Sequence, residues 1–195
     1  MTLALVPSTT AVLFMDFQNG IVARVADQAD ALLQRAKGAL DSARAAGALV
    51  VFVRVGFRTG HPEISDRNAS GAAIKQGGRM ILSEPETAIS SLLAPLETEA
   101  VVVKHRVGAL NETELQTILR ARKIETLVMF GIATSGCVLS TLRHAADLDY
   151  RIVVASDGCA DADPEVHRLL MEKVFPRQAT VVTSAEVVRA LDGRS

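Results

Sequence analysis

Cys137 carries a reactive thiol within a stretch of small and apolar residues. It follows an apolar, strand-like run at 127–130, and Gly131 interrupts that run. Small residues lead on to Gly136, after which apolar residues recur at helical spacing: Val138, Leu139, Leu142, Ala145 and Ala146. The pattern predicts Cys137 in the first turn of a helix, just past the carboxyl end of a strand. Open α/β sheets usually bind their ligands at that edge.

The first turn of a helix would favour chemistry at this thiol. Its backbone N–H groups have no partners within the helix and carry partial positive charge. We therefore expect a lowered pKa for the Cys137 thiol, which would make it a nucleophile. The N–H groups of Ala133 and Cys137 are predicted to form an oxyanion hole, which requires a sharp turn at Ile132–Ala133. The alternative is that Cys137 is a small buried apolar residue, as most free cysteines are.

Two ionisable side chains are predicted at the same edge of the sheet. Asp16 follows an apolar run at 11–15, and Lys104 ends another at 100–104. Burying a charge is costly unless it is paired, so these two side chains suit each other. Asp16 can take the thiol proton and later return it to a leaving amine. Lys104 would lower the pKa of the Cys137 thiol and orient the carboxylate. A purely structural ion pair is the alternative.

The elements that would position these residues alternate between strands and helices. Strands are predicted at 11–15, 48–55, 100–104, 126–130, 151–156 and 179–183. Helices are predicted at 27–46, 112–123 with Asn111 as N-cap, 136–148, from Asp163-Pro164 onward, and from Ser184 to Leu191. This order predicts one α/β domain over residues 1–195, a three-layer doubly wound fold with a central, mainly parallel six-stranded sheet. The stretch 56–86 shows no clear period and is predicted to be either a lid or pocket wall, or a plain surface loop.

Composition limits the function classes. The chain has 195 residues, of which 49% are hydrophobic, and a net charge of −1. No basic excess points to nucleic acid or an anionic membrane as partner. No apolar run approaches the about 20 residues that span a bilayer, and no secretory signal is evident. We therefore expect a cytoplasmic protein with reduced thiols.

Several short motifs together resemble those of a known family. They lie at 14–19, 103–106, 131–138 and 156–160. In order and spacing they resemble the isochorismatase-like cysteine hydrolases, which include nicotinamidase and N-carbamoylsarcosine amidase. The resemblance implies a catalytic triad of Asp16, Lys104 and Cys137, a cis peptide bond at Ile132–Ala133, and a covalent thioester intermediate. It also implies a homo-oligomer, a dimer or tetramer, whose partner subunit borders the pocket.

Two departures from that family narrow the expected chemistry. Nicotinamidases carry an Asp/His metal cluster after the second strand, whereas here 54–62 holds only His61, with no aspartate before Asp66. We predict no bound metal and no other cofactor, and the substrate is not expected to be a nicotinamide. Members that cleave the vinyl ether of isochorismate lack the cysteine, so the presence of Cys137 favours an amidase.

Four residues near the predicted site are candidate substrate contacts. Phe17 would cover a planar substrate, or belong to the core. Gln18 would contact substrate or cap the next helix. Phe57 and Arg58 follow the second strand, and Arg58 would bind a substrate carboxylate or remain solvated. Cys159 lacks a following amphipathic helix, and we interpret it as structural.

The sequence thus predicts a cysteine hydrolase that cleaves a small amide, ureide or carbamoyl C–N bond. Its partner would be a small amide-like molecule. Two alternatives stay open: an enol-ether hydrolase on the same fold, and a non-enzymatic thiol redox sensor. A dinucleotide-binding oxidoreductase is disfavoured because Gly-x-Gly-x-x-Gly is absent after the first strand.

Overall fold

A central parallel sheet organises the protein. A computed structural model describes residues 3–193. Its strands are β1 (Thr10–Met15), β2 (Leu49–Val55), β3 (Ala100–Lys104), β4 (Thr126–Ile132), β5 (Arg151–Ala160) and β6 (Thr180–Val182). They are ordered β3-β2-β1-β4-β5-β6, and every neighbouring pair is parallel. The predicted doubly wound α/β fold is confirmed.

Helices follow the strands and cover both faces of the sheet. They are α1 (Asn19–Val22), α2 (Ala26–Ala46), α3 (Ala69–Gln76), α4 (Leu115–Ala121), α5 (Leu139–Asp147), α6 (Pro164–Leu169) and α7 (Ser184–Leu191). Short 3-10 turns lie at Pro7–Thr9, Ala23–Val25, Pro85–Thr87, Ser91–Leu93 and Phe175–Arg177, and π-helical turns at Thr134–Val138 and Leu170–Val174. In the part of the chain described here, no helix is long and apolar enough to cross a membrane.

The core lies in two layers, one on each face of the sheet. Helices α2 and α7 cover one face, where the ring of Phe14 stacks on Phe52 and Phe130 at centroid distances of 5.5 and 5.3 Å. Helices α4 and α5 cover the other face. Because both faces are covered, β1 and β4 are buried along their whole length, which explains their uninterrupted apolar sequences.

The strand order reverses between β1 and β4. From β1 the chain adds β2 and β3 on one side, and then returns to add β4, β5 and β6 on the other. The loops after β1 and β4 therefore leave the sheet in opposite directions and open a crevice at its carboxyl edge. Asp16 follows β1 and Cys137 follows β4, so both residues lie at this crevice.

Three predicted elements differ from those observed. Helix α4 begins at Leu115 rather than at residue 112, because Glu112 has a left-handed φ of 56° that a helix cannot include; Asn111 is not its N-cap. Strand β5 continues past 156 to Ala160, since its register shifts against β4 between Met129 and Gly131. The stretch 56–86 contains the unpredicted helix α3.

The remaining boundaries agree closely. Helix α2 ends at Gly47, whose φ of 72° gives the left-handed cap expected there. The prediction of a single domain over residues 1–195 stays a prediction, and residues 1, 2, 194 and 195 lie outside those the structure describes.

Candidate active site

Asp16 and Lys104 form a buried ion pair at the carboxyl edge of the sheet. Lys104 Nζ lies 2.8 Å from Asp16 Oδ2, and the two side chains are 3% and 5% exposed. Lys104 Nζ also donates to the backbone carbonyl of Val107 at 2.7 Å. Residues 88 positions apart in the sequence are therefore in direct contact, as the shared strand edge predicts.

The backbone at Asp16 turns sharply out of β1. Its φ is 61°, a left-handed conformation that residues other than glycine seldom adopt. The Asp16 N–H still donates to Val53 in β2 at 2.8 Å, so the turn starts immediately after the last strand contact. Strained backbone of this kind is concentrated at functional sites, where it fixes the direction of a side chain.

Cys137 lies beside this pair. It belongs to the π-helical turn Thr134–Val138, which precedes α5, and its side chain is buried. The thiol donates to the Ile132 carbonyl at 3.4 Å, and it lies close enough to the Asp16 carboxylate to lower the pKa of that carboxyl. Asp16 Oδ1 has no partner of ordinary hydrogen-bond geometry, so its lone pairs are available to take the thiol proton. The structure thus brings together Asp16, Lys104 and Cys137.

The predicted lowering of the Cys137 pKa is wrong. Burial raises the pKa of the thiol well above its ordinary value of 9.0, and the Asp16 charge raises it further, whereas Lys104 lowers it. Burial outweighs the nearby ammonium because a thiolate loses its hydration there. Burial thus favours the protonated thiol over the thiolate. The predicted position of Cys137 in the first turn of a helix is confirmed, since the π-helical turn Thr134–Val138 follows β4 and leads directly into α5. The regular α-helix begins at Leu139 rather than at residue 136.

Burial acts in opposite directions on the pKa values of Asp16 and Lys104. Burial raises the pKa of Asp16 above its ordinary 3.8, although the adjacent Lys104 ammonium opposes this rise. Burial alone would lower the pKa of Lys104, but the Asp16 carboxylate and Cys137 overcome it and the pKa is raised. The cationic form of Lys104 is thus favoured, and its charge opposes the protonation of Asp16 that burial promotes, next to a thiol that can give up a proton.

The segment between β4 and Cys137 has an unusual backbone. The Ile132–Ala133 peptide bond is cis, as the family resemblance implies. The Ala133 carbonyl accepts from the N–H groups of Gly136 and Val138 at 3.1 and 3.3 Å. The use of the Ala133 and Cys137 N–H groups as an oxyanion hole stays a prediction.

Sequence reasoning missed two side chains that hold this segment. Asp161 Oδ2 accepts from the Ser135 N–H at 2.7 Å, and His167 Nδ1 lies 2.7 Å from Thr134 Oγ1. One signal was available for Asp161, since it follows a buried strand just as Asp16 does. His167 carried no such signal, because it lies on the short helix α6 among exposed residues.

The four residues predicted to contact substrate contact other parts of the protein in the structure. Phe17 is buried in the core, its ring centroid 6.3 Å from that of Phe14. The Gln18 amide donates to the carbonyls of Val55 and Thr87 at 2.8 and 2.9 Å and accepts from the Val55 N–H. Its hydrogen-bonding groups are all engaged, so Gln18 tethers the β2 end; its contact with substrate stays a prediction.

Phe57 and Arg58 likewise have protein partners. Phe57 is buried, with the rings of His61 and His105 at centroid distances of 5.6 and 5.9 Å. Arg58 points into solvent and pairs with Glu63 at 2.7 Å. Phe57 is therefore a packing residue at this edge, and Arg58 takes the solvated alternative.

Two further features of the described residues bear on the site: possible metal ligands and cavities. Between residues 3 and 193, no group of three His, Cys, Asp or Glu side chains is arranged to hold a metal ion. His61 Nε2 instead lies 2.7 Å from the Arg79 carbonyl. The absence of a metal or cofactor stays a prediction. Two cavities of about 350 and 520 Å³ lie at the opposite, amino edge of the sheet, where Thr9 and Arg151 begin or precede strands.

The strand order and the three side chains at its switch point define a class of α/β proteins. The isochorismatase domain model matches residues 10–186, which is most of the chain. The protein belongs to the isochorismatase family.

Particular relatives match most of this chain in sequence or in fold. The uncharacterized isochorismatase family protein YecD of Escherichia coli O157:H7 is 31% identical over 185 residues, covering 94% of this chain and 96% of that protein. The ureidoacrylate amidohydrolase RutB of Stutzerimonas stutzeri (strain A1501) is 31% identical over 184 residues, covering 84% and 74%. The crystal structure of a cysteine hydrolase from Pseudomonas syringae pv. phaseolicola 1448A superposes with a TM-score of 0.88 at 24% identity, covering 98% and 96%, which establishes the shared fold.

Proposed function

We propose that this protein is a cysteine hydrolase that cleaves a small amide, ureide or carbamoyl C–N bond through a thioester acyl-enzyme. The observation that carries the proposal is the contact of a carboxylate, an ammonium and a thiol in one buried cluster: Asp16, Lys104 and Cys137. The name of the ureidoacrylate amidohydrolase supports hydrolysis of a C–N bond. Its substrate is not carried over to this chain.

Acylation begins with the protonated thiol. Cys137 Sγ attacks the carbonyl carbon of the substrate while its proton passes to Asp16, so that no free thiolate accumulates in the buried site. The negative charge that develops on the carbonyl oxygen is received by the N–H groups of Ala133 and Cys137. Asp16 then gives the proton to the leaving nitrogen, the C–N bond breaks, and a thioester remains on Cys137.

Deacylation uses the same carboxylate a second time. Asp16 takes a proton from water, the resulting hydroxide attacks the thioester carbon, and the C–S bond breaks. The proton on Asp16 returns to sulfur, and the acid product leaves. Lys104 remains cationic throughout and holds the Asp16 carboxylate in place through the 2.8 Å contact. The net reaction consumes one water and releases ammonia or an amine.

We also propose that the active protein is a homo-oligomer, a dimer or tetramer, acting on a small molecule. The support is the family resemblance together with the exposed side chain of Val107, which lies next to Gly136 at the site. Sedimentation velocity measures the mass directly. A purely monomeric species at the concentration of the activity assay would contradict this.

The two cysteines provide a matched test of the nucleophile. Both Cys137 and Cys159 are buried and free, so Cys137→Ala and Cys159→Ala remove equivalent atoms. On a panel of primary amides, ureides and carbamoyl compounds, Cys137→Ala abolishes ammonia release, and Cys159→Ala retains it. Intact-mass spectrometry of quenched wild-type protein finds an acyl adduct that maps to Cys137. Activity in Cys137→Ala, or an adduct on Cys159, would contradict the proposal.

The same assays separate the alternatives. An enol-ether hydrolase would release a carbonyl product from isochorismate-like vinyl ethers and no ammonia. A thiol redox sensor would form a reversible sulfenate or disulfide and no substrate-derived adduct. Ammonia release together with the Cys137 adduct excludes both.

A further inference from the structure

Two side chains from outside β4 and α5 bind the segment that leads to the nucleophile. We call residues 133–136 the nucleophile loop. Asp161, which follows β5, accepts from the Ser135 N–H at 2.7 Å. His167, on α6, is 2.7 Å from the hydroxyl of Thr134. Neither takes part in the mechanism above.

Both bonds are partly buried: Ser135 is exposed and His167 is half-buried, whereas their partners are not open to solvent. Asp161 is 7% exposed and Thr134 is fully buried. A carboxylate that accepts from a backbone N–H forms a short, charge-assisted bond, and such a bond is stronger where water is excluded. Asp161 is itself held, since its Oδ1 accepts from the Asp163 N–H at 3.4 Å and its carbonyl accepts from Gln28 Nε2 at 3.4 Å. The bond to Ser135 thus joins the nucleophile loop to a fixed part of the fold.

The nucleophile loop needs such anchoring because of what it carries. The N–H groups proposed to receive the oxyanion are those of Ala133, its first residue, and Cys137, which directly follows it. An oxyanion hole works only when its donors lie about 2.7–3.1 Å from the developing charge. A displacement of about 1 Å costs on the order of 100-fold in rate. By accepting from the Ser135 N–H, Asp161 fixes the middle of the loop.

We propose that Asp161 is a positioning residue for the oxyanion step, with His167 a second anchor through Thr134. The inference rests on the proposed function, because it assigns a role within that reaction. It predicts a specific separation of effects: loss of Asp161 impairs formation of the tetrahedral intermediate and spares the transfer of the thiol proton from Cys137 to Asp16.

A carboxylate elsewhere in the fold provides a matched control. Asp157 accepts from the backbone N–H of Ser184 at 2.6 Å, at the start of α7, and so makes the same kind of bond away from the nucleophile loop. Asp161→Ala and Asp157→Ala each remove a carboxylate–amide bond, and Asp157→Ala also removes the contacts of that carboxylate with Ser184 Oγ and Arg35. Asp161→Asn keeps an oxygen that can accept from Ser135, and Thr134→Val removes the hydroxyl that contacts His167.

Four measurements are compared across these variants: kcat, KM, the rate of Cys137 alkylation by iodoacetamide, and hydrogen exchange of a peptide containing residues 133–137. Alkylation displaces iodide at a saturated carbon and needs no oxyanion hole. For Asp161→Ala we expect kcat to fall about 10- to 100-fold, with KM and the alkylation rate within about twofold of wild type. Exchange in the loop peptide rises. Asp161→Asn recovers most of kcat, and Thr134→Val shows a smaller fall of the same kind.

The control and the contrary outcomes are distinct. Asp157→Ala lowers the unfolding temperature but leaves kcat and loop exchange as in wild type. If alkylation by iodoacetamide falls in parallel with kcat in Asp161→Ala, or if its kcat equals that of Asp157→Ala, the proposed role is overturned. Failure of the proposed function would give a different result, because wild-type protein would then release no ammonia from any compound. Hydrogen exchange still decides the anchoring in that case, and unchanged exchange in Asp161→Ala would refute it.

Discussion

The ion pair of Asp16 and Lys104 is buried, so water solvates its charges only weakly. Taking two charges out of water costs several kcal/mol per ion, and their mutual attraction repays this only in part. Two well-packed neutral residues would fill the same space at lower cost. The retention of a charged pair 2.8 Å apart beside a thiol is therefore explained by chemistry better than by stability.

This account makes a prediction about stability. Lys104→Met leaves the Asp16 carboxylate buried without its partner, and we expect the free energy of unfolding to fall by about 3–5 kcal/mol. Asp16→Asn/Lys104→Met removes both charges, and asparagine tolerates the left-handed φ at position 16. The double variant should therefore be more stable than Lys104→Met, and both should be inactive. Urea denaturation followed by circular dichroism measures this. Equal stability of the two variants would refute a net cost of the isolated charge.

The pKa directions predict the pH profile of kcat/KM. The reaction needs a deprotonated Asp16, whose pKa is raised above 3.8, and a protonated Cys137, whose pKa is raised well above 9.0. Activity is therefore lost as pH falls through the Asp16 pKa, at a higher pH than an ordinary aspartate would give, and ionisation of the thiol causes no loss up to pH 9.0. Initial rates in buffers of constant ionic strength measure the profile. A rise between neutrality and pH 9.0, matched by faster alkylation of Cys137, would instead indicate a thiol that ionises before attack.

At the scale of elements, close approach between β4 and β5 keeps the carboxyl edge in place. A Cβ built on Gly158 would lie 2.3 Å from the ring of Phe130 and 2.8 Å from Ala155. A side chain at this position would push β5 away from β4, and with it Asp161 at the strand's end. Glycine is required here for space, since no left-handed φ is involved.

Two glycine substitutions test this packing. Gly158→Ala is expected to lower the free energy of unfolding by about 1–3 kcal/mol, because the ring of Phe130 must move within a filled core. Gly38→Ala is the matched control: it lies inside α2 with nothing within 4 Å of the added atom. There alanine should stabilise by up to about 1 kcal/mol. Thermal unfolding followed by circular dichroism compares them, and a Gly158→Ala protein as stable as Gly38→Ala would show that β5 is not tightly packed.

At the scale of the molecule, the architecture alone does not determine the function. The strand order is the one on which dinucleotide-binding proteins are also built. In those proteins a glycine-rich turn follows the first strand and receives a pyrophosphate. Here that position begins with Asp16, followed by Phe17 and Gln18, which bring a carboxylate and two buried anchors to the same crevice. The side chains at the switch point assign the chemistry, and the fold supplies the crevice.

The two core layers share one sheet, and this predicts cooperative unfolding. Because β1 and β4 contribute side chains to both layers, neither layer can open without exposing the other. We expect urea transitions followed by far-ultraviolet circular dichroism and by fluorescence of Tyr150, the only tyrosine, to coincide. Two separated transitions would contradict a single domain.

Much of this protein was determined by local sequence. Apolar runs of strand length, the glycine that ends α2 and the helical spacing after Cys137 each act over a few residues, so the sheet, its order of elements and the three reactive positions followed from pattern. The family motifs added the cis peptide bond. These features depend on interactions between near neighbours, or on the rule that parallel strands end at one edge.

Only the tertiary structure decided the electrostatic state and the anchoring. The prediction of a low pKa for Cys137 rested on the helix terminus and on Lys104. Burial raises the pKa more than Lys104 lowers it, and the degree of burial is set by every element around the sulfur. Likewise Gln18 became a tether and Asp161 an anchor through partners 37 and 26 residues away. Desolvation and long-range hydrogen bonds depend on what the rest of the chain places nearby, and no local pattern carries that information.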